Sequence, residues 1–148
     1  MKILIVSSVG GHLTEIMQLA PVLSGHEVVL VVNDKATLPD FPFARVYCIA
    51  HAERDLRVLY NFLESARILK EEDPDIVLSA GAGPAVPLSL LARIGTRARI
   101  VFVESAAAIK RPTLTGRLMY PIAHHFFYQW SALRSFFPKA ERASIHFG

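Results

Sequence analysis

A histidine directly after paired glycines is the first feature of the sequence that could do chemistry. The segment Ser8-Val9-Gly10-Gly11-His12-Leu13 leads from an apolar run into a helical pattern. Glycines let a backbone approach a ligand closely, and amides at a helix start favour an anion. The helix dipole favours a neutral imidazole, so His12 could accept a proton from a hydroxyl, or simply hydrogen-bond its own loop. Glu15, one turn further, could orient the ring or lie in solvent.

Two later loops also follow apolar runs. The segment Ser79-Ala80-Gly81-Ala82-Gly83-Pro84 precedes an apolar helical stretch. Gly81 and Gly83 again allow close approach of the backbone, although tight turns alone would also require small residues. Glu104-Ser105 comes at the end of the fifth run, and a carboxylate at the end of a buried strand needs a partner or a substrate hydroxyl.

A basic segment comes next. Lys110, Arg111 and Arg117 alternate with apolar residues, and Thr113 is a predicted helix N-cap. This mixture suits contact with phosphates or a bilayer surface, whereas an ordinary amphipathic packing helix would show the same pattern.

The charge of the chain is unevenly distributed. Residues 1–92 contain 7 Lys and Arg against 11 Asp and Glu, whereas residues 93–148 contain 9 against 2. The cationic third predicts a face that meets phosphates, with a dipolar surface that has no partner as the alternative.

Several other functions are disfavoured. Cys48 is the only cysteine, and the remaining histidines, including the adjacent His124 and His125, lack a ligand-like spacing, so we expect no metal. Basic residues do not interleave with aromatic residues as in nucleic-acid motifs. Trp130 and the run 126–128 are predicted to pack against the sheet. No apolar run is long enough to cross a bilayer, and we expect no signal peptide.

The order of elements predicts how these loops are positioned. Apolar runs at 3–7, 27–32, 45–49, 76–79 and 100–103 alternate with helical patterns, among them 53–72, which ends at Asp73-Pro74. This alternation predicts one α/β domain over 1–148, a Rossmann-like open, mostly parallel sheet with helices on both faces. Ligands of such sheets bind beyond the carboxyl ends of the strands, here the loops 7–12, 33–40, 79–84 and 104–113.

Five motifs in chain order resemble the polysaccharide-biosynthesis family related to the anchoring subunit of the N-glycan N-acetylglucosaminyltransferase. They are Ser8 to Glu15, Ser79 to Ala85, Glu104-Ser105, Pro112 to Arg117, and Gln129-Trp130 through Ala140. The glycine loop before His12 is also similar to that of the peptidoglycan lipid-intermediate transferase. The sequence departs from the family at Ala106 to Ala108, where an aromatic residue and an arginine are usual, so that a guanidinium is lost.

The resemblance implies the N-terminal, acceptor-side half of a GT-B glycosyltransferase. A separate nucleotide-sugar-binding subunit would complete it, and the pair would move a sugar from a UDP-sugar to an undecaprenyl-pyrophosphate-linked acceptor in capsule or exopolysaccharide assembly. It also implies an inverting, metal-independent reaction without a cofactor, a chain inactive or weakly active alone, and peripheral attachment at the inner face of the plasma membrane.

The same resemblance assigns roles to residues. His12 is the candidate base, and the phosphate or membrane contacts are Lys110, Arg111, Thr113 and Arg117. The acceptor-binding candidates are Ser8, Gly10, Gly11, Glu15, Gly81, Gly83, Glu104 and Ser105. A non-catalytic membrane recruiter of a transferase is the alternative function, and a nicotinamide-dependent reductase is disfavoured because the G-x-G-x-x-G spacing is missing.

Overall fold

A parallel sheet runs through the computed structural model, which describes residues 1–33, 38–49, 56–81 and 84–143. Its strands within these residues are β1 Lys2–Val6, β2 Glu27–Val32, β3 Arg45–Cys48, β4 Ile76–Ser79, β5 Arg99–Val103, β6 His125–Tyr128 and β7 Glu141–Arg142. They are ordered β3-β2-β1-β4-β5-β6-β7, and every neighbouring pair is parallel. The five predicted strands and the Rossmann-like class are confirmed.

Helices connect the strands in the predicted places. They are α1 Gly11–Met17, α2 Ala20–Leu23, α3 Arg57–Glu72, α4 Ala85–Gly95 and α5 Leu114–Met119, with a short 3-10 turn at Ser131–Leu133. The predicted end of the long helix is confirmed, because Asp73 takes a left-handed conformation (φ 43°) ahead of Pro74. Residues 53–55 of that prediction lie outside the described part of the chain. No helix in the described ranges is both long and apolar enough to span a bilayer.

The core has two layers, one on each face of the sheet. Leu4 and Val6 of β1 point into one cluster, and Ile3 and Ile5 point into the other. Residues 28–32 of β2 are likewise fully buried. A sheet covered on both faces explains why these strands are continuous apolar runs rather than alternating ones.

The apolar stripe of α3 does not face this core. Leu56, just before the helix, is 85% exposed, and Leu59 and Leu63 are 61% and 63% exposed. The inward positions are Asn61 and Ser65 in the first half of the helix, and Ile68 and Leu69, which pack in the core, in the second half. The helix is therefore confirmed, but the usual meaning of its apolar spacing, a core-facing stripe, is wrong here.

An ion-pair network ties the amino ends of the strands together. Glu72, at the end of α3, accepts from Arg45 Nε at 2.5 Å and from Tyr47 Oη at 2.5 Å, and Lys2 Nζ lies 3.4 Å away. The hydrogen bond from Arg45 is the main cause that lowers the pKa of Glu72 to about 2. Its carboxylate in turn raises the pKa of Tyr47 to about 12. This network fixes the edge strand β3 at the end of the sheet opposite the glycine loops.

Candidate functional site

His12 and Gly81 meet at the point where the strand order reverses. β1 and β4 are neighbours in the sheet; His12 lies in the first turn of α1, which follows β1, and Gly81 lies in the loop after β4. A methyl group built on Gly81 would lie 3.0 Å from His12 Cε1, so the imidazole packs directly on the glycine. Gly81 also has a φ of +128°, which L side chains rarely adopt. Ligands of open α/β sheets bind at this switch point.

The first glycine loop turns tightly into α1. Gly10 has a φ of +106°, and its carbonyl accepts from Thr14 N and Thr14 Oγ1, both at 3.0 Å. Val9 N donates to Asn33 Oδ1 at 3.0 Å, which links this loop to the end of β2. Ser8 is half-buried, whereas Gly10 and Gly11 are exposed at the rim.

Glu15 joins α1 to the loop after β5. Its Oε1 accepts from the backbone amide of Ala106 at 2.6 Å, and the residue is half-buried. The solvent-exposed alternative for Glu15 is therefore wrong. The structure thus brings together the loops that follow β1, β4 and β5, through Gly81 packing on His12 and Glu15 binding Ala106.

Two polar atoms of this crevice are buried without a partner. They are Nδ1 of His12 and Oε2 of Glu15. A buried polar atom without a hydrogen bond costs on the order of 1–3 kcal/mol, so such atoms mark places where a ligand, a water or a conformational change completes the bonding. The two residues are three positions apart on one helix, which places their side chains on the same face.

The Glu104 carboxylate accepts hydrogen bonds from other residues of the protein. The residue is 0% exposed, Oε1 accepts from Ser105 N at 2.9 Å and from Thr113 Oγ1 at 2.8 Å, and Oε2 accepts from Thr113 N at 3.1 Å. The Thr113 hydroxyl also caps α5 by accepting from Gly116 N at 2.9 Å, which confirms the predicted N-cap. We call Glu104, Thr113 and Gly116 the α5 clamp, because the carboxylate fixes the start of that helix.

Every backbone amide from Ser105 to Ile109 donates a hydrogen bond within the chain. Ser105 Oγ accepts from Ala107 N at 3.2 Å, and the carbonyl of Ser105 accepts from Ala108 N at 3.0 Å. Ile109 N donates to the carbonyl of Ala107 at 3.0 Å. With the amides of Ser105 and Ala106 bound to Glu104 and Glu15, a ligand on this segment would have to use side chains.

Trp130 lies in a different environment from the one predicted. Its packing against the sheet was expected, but the indole is 40% exposed and its Nε1 donates to the carbonyl of Ala106 at 2.6 Å. The neighbouring Gln129 donates through Nε2 to the carbonyl of Glu104 at 3.1 Å. The packing prediction is confirmed for Phe126 and Tyr128, which are buried, and wrong for Trp130. A lone aromatic residue after a strand carries no signal that distinguishes these two environments.

The predicted cationic residues are exposed. Lys110 and Arg111 are exposed on the loop after β5, and no ion pair among the described residues includes them. Arg117 is exposed on α5 and lies over the ring of Phe136, 5.9 Å from its centroid. Gly83 lies outside the described residues.

A parallel sheet in this order, with the segments after β1, β4 and β5 in contact at its switch point, defines a Rossmann-like domain. MurG of Acinetobacter baumannii has the same fold, with a TM-score of 0.76 and 19% identity over 96% of this chain and 44% of that chain. UDP-N-acetylglucosamine 2-epimerase of Rickettsia bellii is also similar, with a TM-score of 0.73 and 11% identity over the same shares. The chain thus spans less than half of each solved structure.

The chain belongs to the family described as oligosaccharide biosynthesis protein Alg14 like, whose model matches residues 31–146. The UDP-N-acetylglucosamine transferase subunit ALG14 of Homo sapiens is 27% identical over 95% of this chain and 80% of its own length. The UDP-N-acetylglucosamine–N-acetylmuramyl-(pentapeptide) pyrophosphoryl-undecaprenol N-acetylglucosamine transferase of Geotalea uraniireducens is 39% identical over 56% of this chain and 22% of its own length.

Proposed function

We propose that this chain is the acceptor-side subunit of a two-component glycosyltransferase. It would act with a separate nucleotide-sugar-binding subunit and move a sugar from a UDP-sugar to an undecaprenyl-pyrophosphate-linked acceptor in capsule or exopolysaccharide assembly. The names of its relatives support this division, because the family members are transferase subunits and the shorter match is to a transferase with an undecaprenol-linked acceptor.

The observation that carries the proposal is the His12 ring with its buried, unpartnered Nδ1 at the switch point. In an inverting transfer the acceptor hydroxyl oxygen forms a bond to the anomeric carbon of the donor. The bond from that carbon to UDP breaks, its electron pair leaves with UDP, and the hydroxyl proton passes to the imidazole. This route needs neither a metal nor a cofactor.

Glu15 suits the orienting role in this step. A carboxylate that accepts from one nitrogen of a histidine fixes the tautomer, so that the other nitrogen is free to take a proton. The unpartnered Oε2 of Glu15 and Nδ1 of His12 are the atoms that such a pair would use. We assign Glu104 to positioning instead of direct sugar contact, because both of its oxygens are engaged by the protein.

Reconstitution tests the proposal. The purified chain is mixed with its partner subunit, a UDP-sugar and a lipid-pyrophosphate acceptor, and transfer is followed for each component alone and for the mixture. His12→Ala is expected to lower kcat about 100-fold or more while the complex still forms, since a positioned general base contributes about 10²–10⁴-fold. His125→Ala, at an exposed position on β6, is the matched control and should leave the rate unchanged. Transfer by this chain without a partner would refute the two-component proposal.

A recruiter of a catalytic subunit is the second candidate, and the exposed stripe of Leu56, Leu59 and Leu63 favours it. Exposed apolar stripes mark interaction surfaces. The His12→Ala variant separates the two functions. Full activity of the reconstituted pair would favour recruitment, whereas a loss of kcat with intact binding would favour chemistry.

We also propose that the basic segment meets anionic headgroups at the inner face of the plasma membrane. Residues 105–140 contain 5 Lys and Arg and no Asp or Glu, and Leu114 and Leu118 are 74% and 47% exposed beside Arg117. Each cation near an anionic surface contributes about 1 kcal/mol, so changing Lys110, Arg111 and Arg117 together to Gln should weaken binding on the order of 100-fold.

Sedimentation with vesicles measures this binding. Vesicles with and without phosphatidylglycerol are compared at low and high salt, since screening should remove the electrostatic part. Changing Lys70, Arg93 and Arg97 to Gln is the matched control, because it removes three exposed cations from other parts of the chain. The pair Leu59→Ser and Leu63→Ser is a second control, which removes exposed apolar residues from α3. Loss of binding in the α3 pair and not in the basic-segment variant would place the membrane contact on α3.

A further inference from the structure

The backbone of Ala106 is held at its N–H and at its C=O by side chains of different elements. Its amide donates to Oε1 of Glu15 on α1, and its carbonyl accepts from Nε1 of Trp130 after β6, both at 2.6 Å. Typical N–H···O bonds are about 2.9–3.0 Å long, so both contacts are close. We infer that Glu15 and Trp130 are positioning residues that set the loop after β5 relative to the His12 crevice, and we call this arrangement the Ala106 bridge.

The loop has few other means of being held there. In the run Ala106 to Ala108 the side chains are single methyl groups, and of these only Ala108 is buried. Packing therefore contributes little, and the hydrogen bonds to Glu15 and Trp130 carry the attachment. Gln129 adds a third contact through the carbonyl of Glu104. The loop is thus fixed to β6 on one side and to the helix of His12 on the other.

Burial does not explain the place of Trp130. With 40% of its surface exposed, the indole leaves much of its ring in water, although burying a large aromatic side chain is what usually stabilises it. Its N–H is directed to one carbonyl. This contact fixes the indole relative to the loop after β5.

The inference rests on the proposed function and deepens it. The bridged loop continues into Lys110 and Arg111, which would meet the phosphates of the acceptor, while Glu15 lies on the helix that carries His12. A bridge between them would align the acceptor hydroxyl with the imidazole. Loss of the bridge should then raise the KM for the acceptor and leave the KM for the UDP-sugar unchanged, a split that a general loss of stability would not produce.

The single tryptophan makes the bridge directly observable. Trp130 is the only tryptophan in the sequence, so the intrinsic fluorescence at long excitation wavelength reports this ring alone. Glu15→Ala removes the acceptor on the far side of Ala106 and should shift the emission to the red and increase quenching by acrylamide. Glu15→Gln keeps an acceptor oxygen and should restore most of the wild-type spectrum. Glu71→Gln, an exposed carboxylate on α3, is the matched control.

Kinetics of the reconstituted pair complete the test. Trp130→Phe, which keeps an aromatic ring but lacks the N–H, should raise the acceptor KM about tenfold. Glu15→Ala should do the same and should also lower kcat, because Glu15 is the residue proposed to orient His12. Tyr60→Phe, at another exposed aromatic residue, should have no effect. Circular dichroism confirms that each variant is folded.

The outcomes separate the bridge from the function. An unchanged emission spectrum of Glu15→Ala would overturn the bridge, and a spectral shift without a change of the acceptor KM would overturn its positioning role. If the wild-type pair transferred no sugar while the spectral shift was still seen, the proposed function would fail and the bridge would be a structural contact only.

Discussion

Replacing Gly116 by alanine should disrupt the α5 clamp. A methyl group at this position would lie 1.9 Å from Oε2 of Glu104 and 2.7 Å from its Cδ. Even weak C–H···O contacts are about 3.3 Å or longer, so the carboxylate has to move by more than 1 Å. It has no room to do so without leaving its partners, because Glu104 is 0% exposed and is bound by Ser105 and Thr113.

The magnitude follows from those hydrogen bonds. A hydrogen bond to a charged group contributes about 1.5–3 kcal/mol, so losing two of the three bonds to Glu104 costs about 3–6 kcal/mol. Alanine is favoured over glycine within a helix by about 1 kcal/mol, which offsets a small part. We therefore expect Gly116→Ala to lower the free energy of unfolding by about 2–5 kcal/mol, which in a domain of this size lowers Tm by roughly 5–15 °C.

Urea and thermal unfolding followed by circular dichroism measure this loss. Gly95→Ala is the matched control, because a methyl group there meets nothing within 4 Å at the end of α4, and it should be neutral or slightly stabilising. Glu104→Asp retracts the carboxylate by one methylene, so the double variant with Gly116→Ala should lose less than the sum of the single losses. If Gly116→Ala were as stable as Gly95→Ala, the clamp would not exist as described.

Three further predictions concern other parts of the molecule. Gly81→Ala should lower the free energy of unfolding by about 1–3 kcal/mol because of its φ of +128°, and it should displace the imidazole of His12. Gly25→Ala, with a φ of +87° and open space, is the control that shows the backbone strain alone. Equal activity in both variants would contradict the contact between Gly81 and His12. Because hydrogen bonding lowers the pKa of Glu72 from 4.5 to about 2, its contribution to stability should be complete above pH 4.5 and be lost toward pH 2. The unfolding free energy of Glu72→Gln should not show this fall between pH 4.5 and pH 2. Burial lowers the pKa of His124, whose Nδ1 accepts from Ile100 N, so the free energy of unfolding should fall as the pH drops below 6.5. His124→Asn keeps an acceptor and should remove this pH dependence from the unfolding curves. An unchanged pH profile in this variant would refute the assignment to His124.

The strands could be predicted because their signal is local. Five continuous apolar runs gave β1 to β5 within a residue or two, since burial on both faces of a parallel sheet leaves few polar positions. The strands β6 and β7 were missed, because neither is a run rich in Val and Ile. The apolar spacing of Leu56, Leu59 and Leu63 identified the helix α3 correctly. It did not indicate which face of the helix the core covers, because spacing alone does not contain that information.

The site could be predicted only as a set of loops. Glycines after apolar runs located the crevice, and the need of Glu104 for a partner was visible in the sequence. Which partner it takes was not, because Thr113 is nine positions away and the contact depends on how the loop folds back. The bridge at Ala106 was hidden for the same reason, since Glu15 lies 91 positions from the amide that donates to it.

The backbone amides after β5 bear on whether this segment could bind a nucleotide. Nucleotide diphosphates are commonly bound by clusters of free backbone N–H groups at a loop and helix start. Between Ser105 and Ile109 every backbone amide is already bonded within the chain. A pyrophosphate at this segment would depend on the side chains of Lys110 and Arg111, which suits a flexible lipid-linked acceptor at a membrane surface better than a closely fitted nucleotide. This contrast supports the proposal that another polypeptide recognises the donor.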